Sequence, residues 1–403
     1  MRELMKTQNL KRQKGFTLLE LTVATALGLI VILAMTSLFK VGMDTTFTVA
    51  QRAETQQNMR AAIELITKDL GMAGAGLPSG GLQLVTGAGT TNSLFACNQT
   101  GTCYVPNDTY LPNQGSTNYM FPIIPGYSTG VQSSAVIAAA PGAINDSVTS
   151  IYCDYNFPLT NFSFTFNNDN QAVATVLSGA VQPNNVESPG GLNKFGGDLL
   201  LFIATSAGNG TGNQGNSAIQ SAQAVGEITS IQNNGPWTIN FAANDALNFN
   251  QNGNNSDGTP WTGSLRSVRQ AAGNGNQISV CRLNVVTYFL QVPTGSTTVQ
   301  NPRLMRQMDG FDAVPVADNI INLQFTYDII NTQVTPNTIN ANLKDPVGGG
   351  LSPALIQKIN MFVMGESLTS GGKKSQSMYL ASSVSTRNTS FCNVYSSATS
   401  ACQ

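Results

Sequence analysis

Lys14-Gly15-Phe16-Thr17-Leu18-Leu19-Glu20 opens an apolar run that continues to Phe39, and this stretch decides how the chain is organised. A basic leader ends in glycine, and an apolar segment of 24 residues follows, Phe16 to Phe39. As a helix it reaches about 36 Å at ~1.5 Å per residue, enough to cross the hydrocarbon core of a bilayer. Its only charged residue is Glu20, near its beginning. A charge inside the apolar layer costs about 3 kcal/mol on insertion scales and is retained where it is paired or functional. An ordinary signal peptide or anchor has no use for it.

The flanks set an orientation. In the leader, Arg2, Lys6, Lys11, Arg12 and Lys14 oppose only Glu3, a net +4 on the side expected to stay cytoplasmic. Lys40 and Asp44 mark the far end. A conventional secretory signal places a small-residue cleavage site after its apolar core. Here Ala24-Thr25-Ala26 lies inside the core, with Leu27 to Leu33 still to come, which argues against ordinary signal peptidase.

These residues resemble the processing site and N-terminal helix of type IV pilins and of type II secretion pseudopilins. The resemblance implies that a prepilin peptidase cuts between Gly15 and Phe16, and that the new α-amino group of Phe16 is N-methylated. In a filament that amine would meet Glu20 of a neighbouring subunit, since a paired charge in a low dielectric costs far less than a lone one. Glu20 is thereby the expected assembly residue. The implied partners are the peptidase, other major and minor pilins, and the inner membrane before assembly.

Composition narrows the chemistry. Charged residues are only 10% of the 403, well below the usual quarter, and histidine is absent. His-based catalytic triads and His-ligated zinc sites are therefore excluded. Without the leader the chain has 15 basic and 20 acidic residues, net −5, a poor default for binding nucleic acid. The reading is of a protein that is not an enzyme, with no cofactor, metal or nucleic acid expected. Six cysteines, Cys97, Cys103, Cys153, Cys281, Cys392 and Cys402, favour disulfides in an exported chain and allow 15 pairings. Short loops suggest Cys97–Cys103 and Cys392–Cys402, which would leave Cys153 with Cys281; none has CxxC spacing.

Beyond the membrane segment the helix is expected to continue. Met59, Ala62, Ile63, Ile66 and Leu70 recur at helical spacing, with Arg52, Glu54, Arg60, Glu64 and Lys68 at polar positions. Gly71, Gly74, Gly76 and Pro78 stop it, giving one helix of roughly 55 residues. Short β-like runs then follow: Leu82 to Thr86, Ala135 to Ala139, Val148 to Tyr155, Phe162 to Phe166, Ala172 to Leu177, and the continuous apolar run Leu199 to Ala204. Ala224 to Ile231 and Trp237 to Phe241 read as a hairpin around Asn233-Asn234-Gly235-Pro236. The Asn- and Gly-rich stretch from Asn244 to Gln277 reads as a surface excursion. Strand signals strengthen over Ile278 to Val292, Leu304 to Met308, Asn319 to Ile329, Leu355 to Met364 and Met378 to Thr386.

The expected fold is α+β: a long N-terminal helix, one half membrane-spanning and one half amphipathic, packed on an antiparallel β-sheet head. Its divisions are a leader over 1–15, a helix over 16–76 that spans the membrane over 16–39, and a β-rich head over 77–403.

Within the pilin-like class, Asp69-Leu70-Gly71-Met72-Ala73-Gly74 resembles the D-L-R-x-A-G signature of PilW-like minor pilins, with Gly71 where the family often has arginine. Gly197 to Phe202 (G-D-L-L-L-F), Val286 to Leu290 (V-x-Y-F-L), the arginine-bearing strand Arg303 to Met308, the passage Val316 to Gln324 and a strand ending in Arg387-Asn388 follow in the family's order. The resemblance implies a minor pilin precursor in the inner membrane, later part of an extracellular type IV pilus, with its head periplasmic or extracellular. A J-type pseudopilin shares much of this plan but is usually shorter. An adhesin binding through the Asn/Gly-rich loops is the alternative of another kind. Asn252 to Gly258 faintly suggests a calcium loop, but Asp257 is its only acid, too few for an EF-hand. Gly371-Gly372-Lys373-Lys374-Ser375 lacks the Gly-Lys-Ser/Thr order of a phosphate-binding loop.

Overall fold

The structure, a computed structural model, describes residues 15–78, 81–85, 88, 119–132, 145–154, 162–176, 197–205, 222–232, 237–243, 245, 248–273, 277–292, 302–309, 313–346, 351–367, 376–386 and 388–389. Helix α1 runs from Leu18 to Met72, 55 residues. The chain separates into two compact units, Met1–Glu54 and Thr55–Gln403, and the helix belongs partly to each.

In the first unit the helix is apolar all round from Leu21 to Phe39, and Leu18, Leu29, Ile32, Leu38 and Phe47 are all exposed. A helix of that kind belongs in lipid or in a bundle of like helices. Its threonines do not spoil that surface: Thr22, Thr25 and Thr36 turn their hydroxyls onto the carbonyls of Leu19, Leu21 and Ile32, at 2.8, 3.0 and 2.8 Å. Each hydroxyl is thus satisfied inside the helix.

In the second unit the helix is one-sided. Thr55, Met59, Ala62, Ile66, Asp69 and Leu70 are buried, a three-and-four spacing that puts them on one face. That face joins the largest core cluster, with Leu323, Phe325, Tyr327, Ile359, Met361 and Val363. Gly365 permits the approach: a Cβ there would stand 2.9 Å from Thr55 Cγ2 and 3.0 Å from Met59 Sδ.

Eighteen strands, one further α-helix and a short 3-10 helix (Pro353–Leu355) follow among the described residues. The first are β1 (Leu82–Gln83), β2 (Tyr119–Met120), β3 (Ile123–Gly126), β4 (Val131–Gln132) and β5 (Ser147–Asp154). Next come β6 (Phe162–Asn168), β7 (Gln171–Val176), β8 (Leu199–Thr205), β9 (Ala222–Glu227), β10 (Ser230–Gln232) and β11 (Trp237–Asn240). Helix α2 (Leu265–Gly273) precedes β12 (Gln277–Gln291), β13 (Arg303–Met308), β14 (Val314–Asp318) and β15 (Ile320–Asn331). The last are β16 (Thr338–Leu343), β17 (Ile356–Ser367) and β18 (Gln376–Ser385).

Eight strands form the central sheet, in the order β14-β13-β12-β5-β3, with β4, β8 and β9 attached. Strand β12 is its spine and is buried continuously from Leu283 to Leu290. It pairs antiparallel with β8, β5 and β13 in succession along its length, and parallel with two residues of β4. A four-stranded sheet β16-β15-β17-β18 carries the face that receives α1. The chain passes from the central sheet to this one at Asn319, whose φ of +60° makes the corner between β14 and β15. A second four-stranded sheet, β10-β11-β7-β6, packs through Phe164 and Ile239 on a cluster with Phe202, Phe241 and α2.

The α+β arrangement agrees with expectation. Two readings along the chain do not. The expected strand from Ala224 to Ile231 is two strands in different sheets: β9 pairs with β8, whereas β10 pairs with β11. The break falls at Thr229, whose N–H and hydroxyl both donate to the Asn240 carbonyl, at 2.9 Å each. The stretch from Asn244 to Gln277 is not a surface excursion. It contributes α2, whose Leu265, Val268 and Ala271 are buried, as are Phe249 and Asn250. Asn250 donates to the carbonyls of Glu227 (2.7 Å) and Ala242 (3.1 Å), so an amide that composition assigns to solvent serves as an internal brace. The expected strand at Ala135 to Ala139 and the Gly371 to Ser375 turn lie outside the described residues.

Candidate functional site

Two constellations stand out, one at each end of α1. At the first, Thr17 precedes the helix and Glu20 lies in its first turn. The Thr17 N–H and hydroxyl both donate to Glu20 Oε2, at 3.0 and 2.9 Å, and the Glu20 N–H donates back to Thr17 Oγ1 at 3.3 Å. This is a capping box, two otherwise orphaned N–H groups satisfied reciprocally, with the acid also favoured by the helix dipole. Glu20 thereby reaches back to within one residue of the Gly15-Phe16 bond, and Phe16 is 87% exposed. The pattern was legible as Thr-x-x-Glu ahead of an apolar run, yet the sequence reading weighed only the carboxylate and missed Thr17.

At the other end, Asp69 is buried at the base of the helix. Its Oδ2 accepts from Arg306 Nε (2.8 Å) and from the Tyr288 hydroxyl (2.5 Å), and its Oδ1 from the Tyr152 hydroxyl (3.2 Å). Strands β13, β12 and β5 each supply one of these donors. Burial, then the charge of Asp69, pushes the Tyr152 phenol up to about 12 and moves Tyr288 in the same direction by the same causes. Burial alone would lower the Arg306 pKa, but its hydrogen bond and attraction to Asp69 raise it, so the guanidinium stays charged. Sequence reading singled out Asp69, the Tyr288 segment and the Arg306 strand separately; the structure brings all three to one point. Tyr152 was not singled out.

Of the residues that follow Asp69, Gly71 and Met72 are exposed, and the other three pack inward or hold the turn. Leu70 and Ala73 are fully buried, and Gly74 has φ +81° with its N–H on the Ile151 carbonyl at 2.8 Å. A Cβ on Gly74 would meet the Asn388 carbonyl at 3.0 Å.

Beneath this point, Arg282 pairs with Asp154 and approaches Asp198 at 4.0 Å. Beside it Asp309 is almost completely buried, accepting the Val285 N–H at 2.6 Å; burial, with the nearby Asp198 charge, pushes its carboxyl up to about 8. Cys153 and Cys281 form a disulfide between β5 and β12. Cys97, Cys103, Cys392 and Cys402 lie outside the described residues. Among the described residues no three Asp, Glu or Cys side chains gather as a metal ion would require. The Asp257 carboxylate instead accepts from the Thr259 N–H and hydroxyl.

Compared with known proteins, residues 10–36 match the prokaryotic N-terminal methylation motif. No curated protein and no solved structure matches the chain. The chain thus carries a type IV prepilin-like N-terminal segment, and its apolar helix fits an inner-membrane-anchored precursor.

Proposed function

We propose that this chain is the precursor of a PilW-type minor pilin, a structural subunit that takes part in building a type IV pilus. Prepilin peptidase removes residues 1–15 by cutting between Gly15 and Phe16, and Phe16 is N-methylated. The N-terminal segment over 16–76, helical from Leu18 to Met72, then anchors a head over 77–403 in the inner membrane until the subunit joins other pilins in the filament. The observation that carries this reading is the lone carboxylate of Glu20 at the start of a helix apolar on every side, held one residue from the cleaved bond. Moving such a helix from lipid into a bundle of like helices exchanges one dry environment for another, so burial alone gives no register. A carboxylate matched to the amine of a neighbouring Phe16 gives one.

The test is incorporation. In sheared pili probed with an antibody to the head, Glu20→Ala is expected to be cleaved like the natural chain but to fall at least tenfold in the filament fraction. Undiminished incorporation counts against the pairing. Recovery of the natural chain with a type II secretion complex and not with pili would assign it to the pseudopilins instead.

A further inference from the structure

The sheet β16-β15-β17-β18 has a second face, turned away from α1, and the sequence alternation equips it unlike the first. Where Leu323, Phe325, Ile359, Met361 and Val363 point into the core, the intervening positions are Gln324, Thr326, Asn360 and Phe362, all half-buried. Across them runs an open groove of about 460 Å³, lined by Gln324, Thr326, Asn342, Asn360, Phe362 and Ser383, within the usual range of small-molecule sites. Ala381, with a small side chain, lines it too.

Three features select the ligand. First, an aromatic shelf borders the groove: Tyr379 stacks on Phe362 of the lining, with centroids 5.8 Å apart and planes at 22°, yet is itself 72% exposed. A ring held flat by a neighbour and left open to solvent on a polar surface offers a face for the apolar side of a pyranose. Second, the lining is made of carboxamides and hydroxyls, which can both donate to and accept from sugar hydroxyls. Third, the charge is already neutralised. Asp328 pairs with Lys358 (3.6 Å) and accepts from the Asn342 N–H (2.9 Å) and Asn360 Nδ2 (3.1 Å). A neutral floor complements a neutral ligand and gives an acidic one no counter-charge.

The lining is also positioned. Asn360 Nδ2 donates to Asn342 Oδ1 as well, at 3.1 Å. The β15–β16 register slips between Tyr327 and Ile329, and Asn342 takes a φ of +56° there. A bulge of this kind re-aims a side chain, and here it aims one into the groove.

We propose that this groove binds a neutral oligosaccharide, stacked on Tyr379 and hydrogen-bonded by Asn342, Asn360 and Gln324. The site would reach such a ligand only if the head is displayed as proposed above, but binding is read on the isolated chain and stands or falls independently of pilus assembly.

The test uses the full chain in a detergent without a sugar headgroup, with cellotriose and tri-N-acetylchitotriose as neutral probes and trigalacturonate as the acidic one. Saturation-transfer NMR should show at least one neutral trisaccharide receiving magnetisation, and titration calorimetry should give its affinity. Tyr379→Ala should weaken that affinity at least tenfold, about 1.4 kcal/mol, while Tyr379→Trp, which keeps a ring, should retain it. Asn360→Ala, checked for an unchanged melt, should weaken it comparably; Gln324→Ala serves if Asn360→Ala does not fold. The proposal is overturned if neither neutral trisaccharide receives magnetisation, if trigalacturonate binds better, or if Tyr379→Ala binds as the natural chain does.

Discussion

Asp309 is an acid placed where a carboxylate has no water. Its ordinary pKa of 3.8 rises to about 8 in the fold, burial being the main cause. Between those values the folded chain holds a proton that the unfolded chain has lost, so the stability this group contributes is full below about pH 4 and is lost as pH rises through about 8. The slope from this group is about 1.4 kcal/mol per pH unit while the window lasts. Asparagine keeps the acceptor for the Val285 N–H and tolerates the φ of +50° at this position. Asp309→Asn is therefore expected to flatten the fall in denaturant midpoint between pH 5 and pH 8; an unchanged fall would place the titration elsewhere. Nothing in the sequence marked this residue, because an Asp followed by Gly reads as a turn and its burial depends on β12 passing alongside. Glu20 is the contrary case, since an acid within an apolar run is anomalous in any fold.

At the scale of elements, α1 was readable throughout because its two halves announce themselves by opposite patterns, apolar all round and then apolar on one face. What the pattern did not show is how the second half is fastened. The Asp69–Arg306 pair with its two tyrosines joins residues far apart in sequence, and removing one partner of a buried pair strands the other, a loss of about 3–5 kcal/mol. Asp69→Asn is expected to lower the stability of the head by that order, measured as a shift in denaturant midpoint at constant slope. A loss below about 1 kcal/mol would mean that the pair behaves like an exposed one. Strands escaped notice where they broke the rules of pattern. Strand β14 contains Pro315, which an edge position tolerates. Strand β16, Thr-Ile-Asn-Ala-Asn-Leu, shows no buried row because it too is an edge. Strands β9 and β10 were fused because nothing in Ala224 to Ile231 signals a change of sheet.

Taken whole, the chain presents large apolar side chains to solvent from Leu18 to Val49 and a cored β-rich unit beyond. That distribution makes sense only if something outside the chain covers the helix, as the lipid around an inner-membrane-anchored precursor would. The prepilin-like class of the N-terminal segment was legible because a basic leader ending in glycine, a lone acid and apolar length sit together in one stretch. The groove on the head was not, since it is assembled from four strands between Gln324 and Ser383. The central claim is that the apolar helix is released from its basic leader at one defined bond. Intact and tandem mass spectrometry of the chain recovered from the membrane or filament should find an N-terminus at N-methylated Phe16, with residues 1–15 absent. A mature chain that begins anywhere else, whether at Met1 or after Ala24-Thr25-Ala26, would contradict the account.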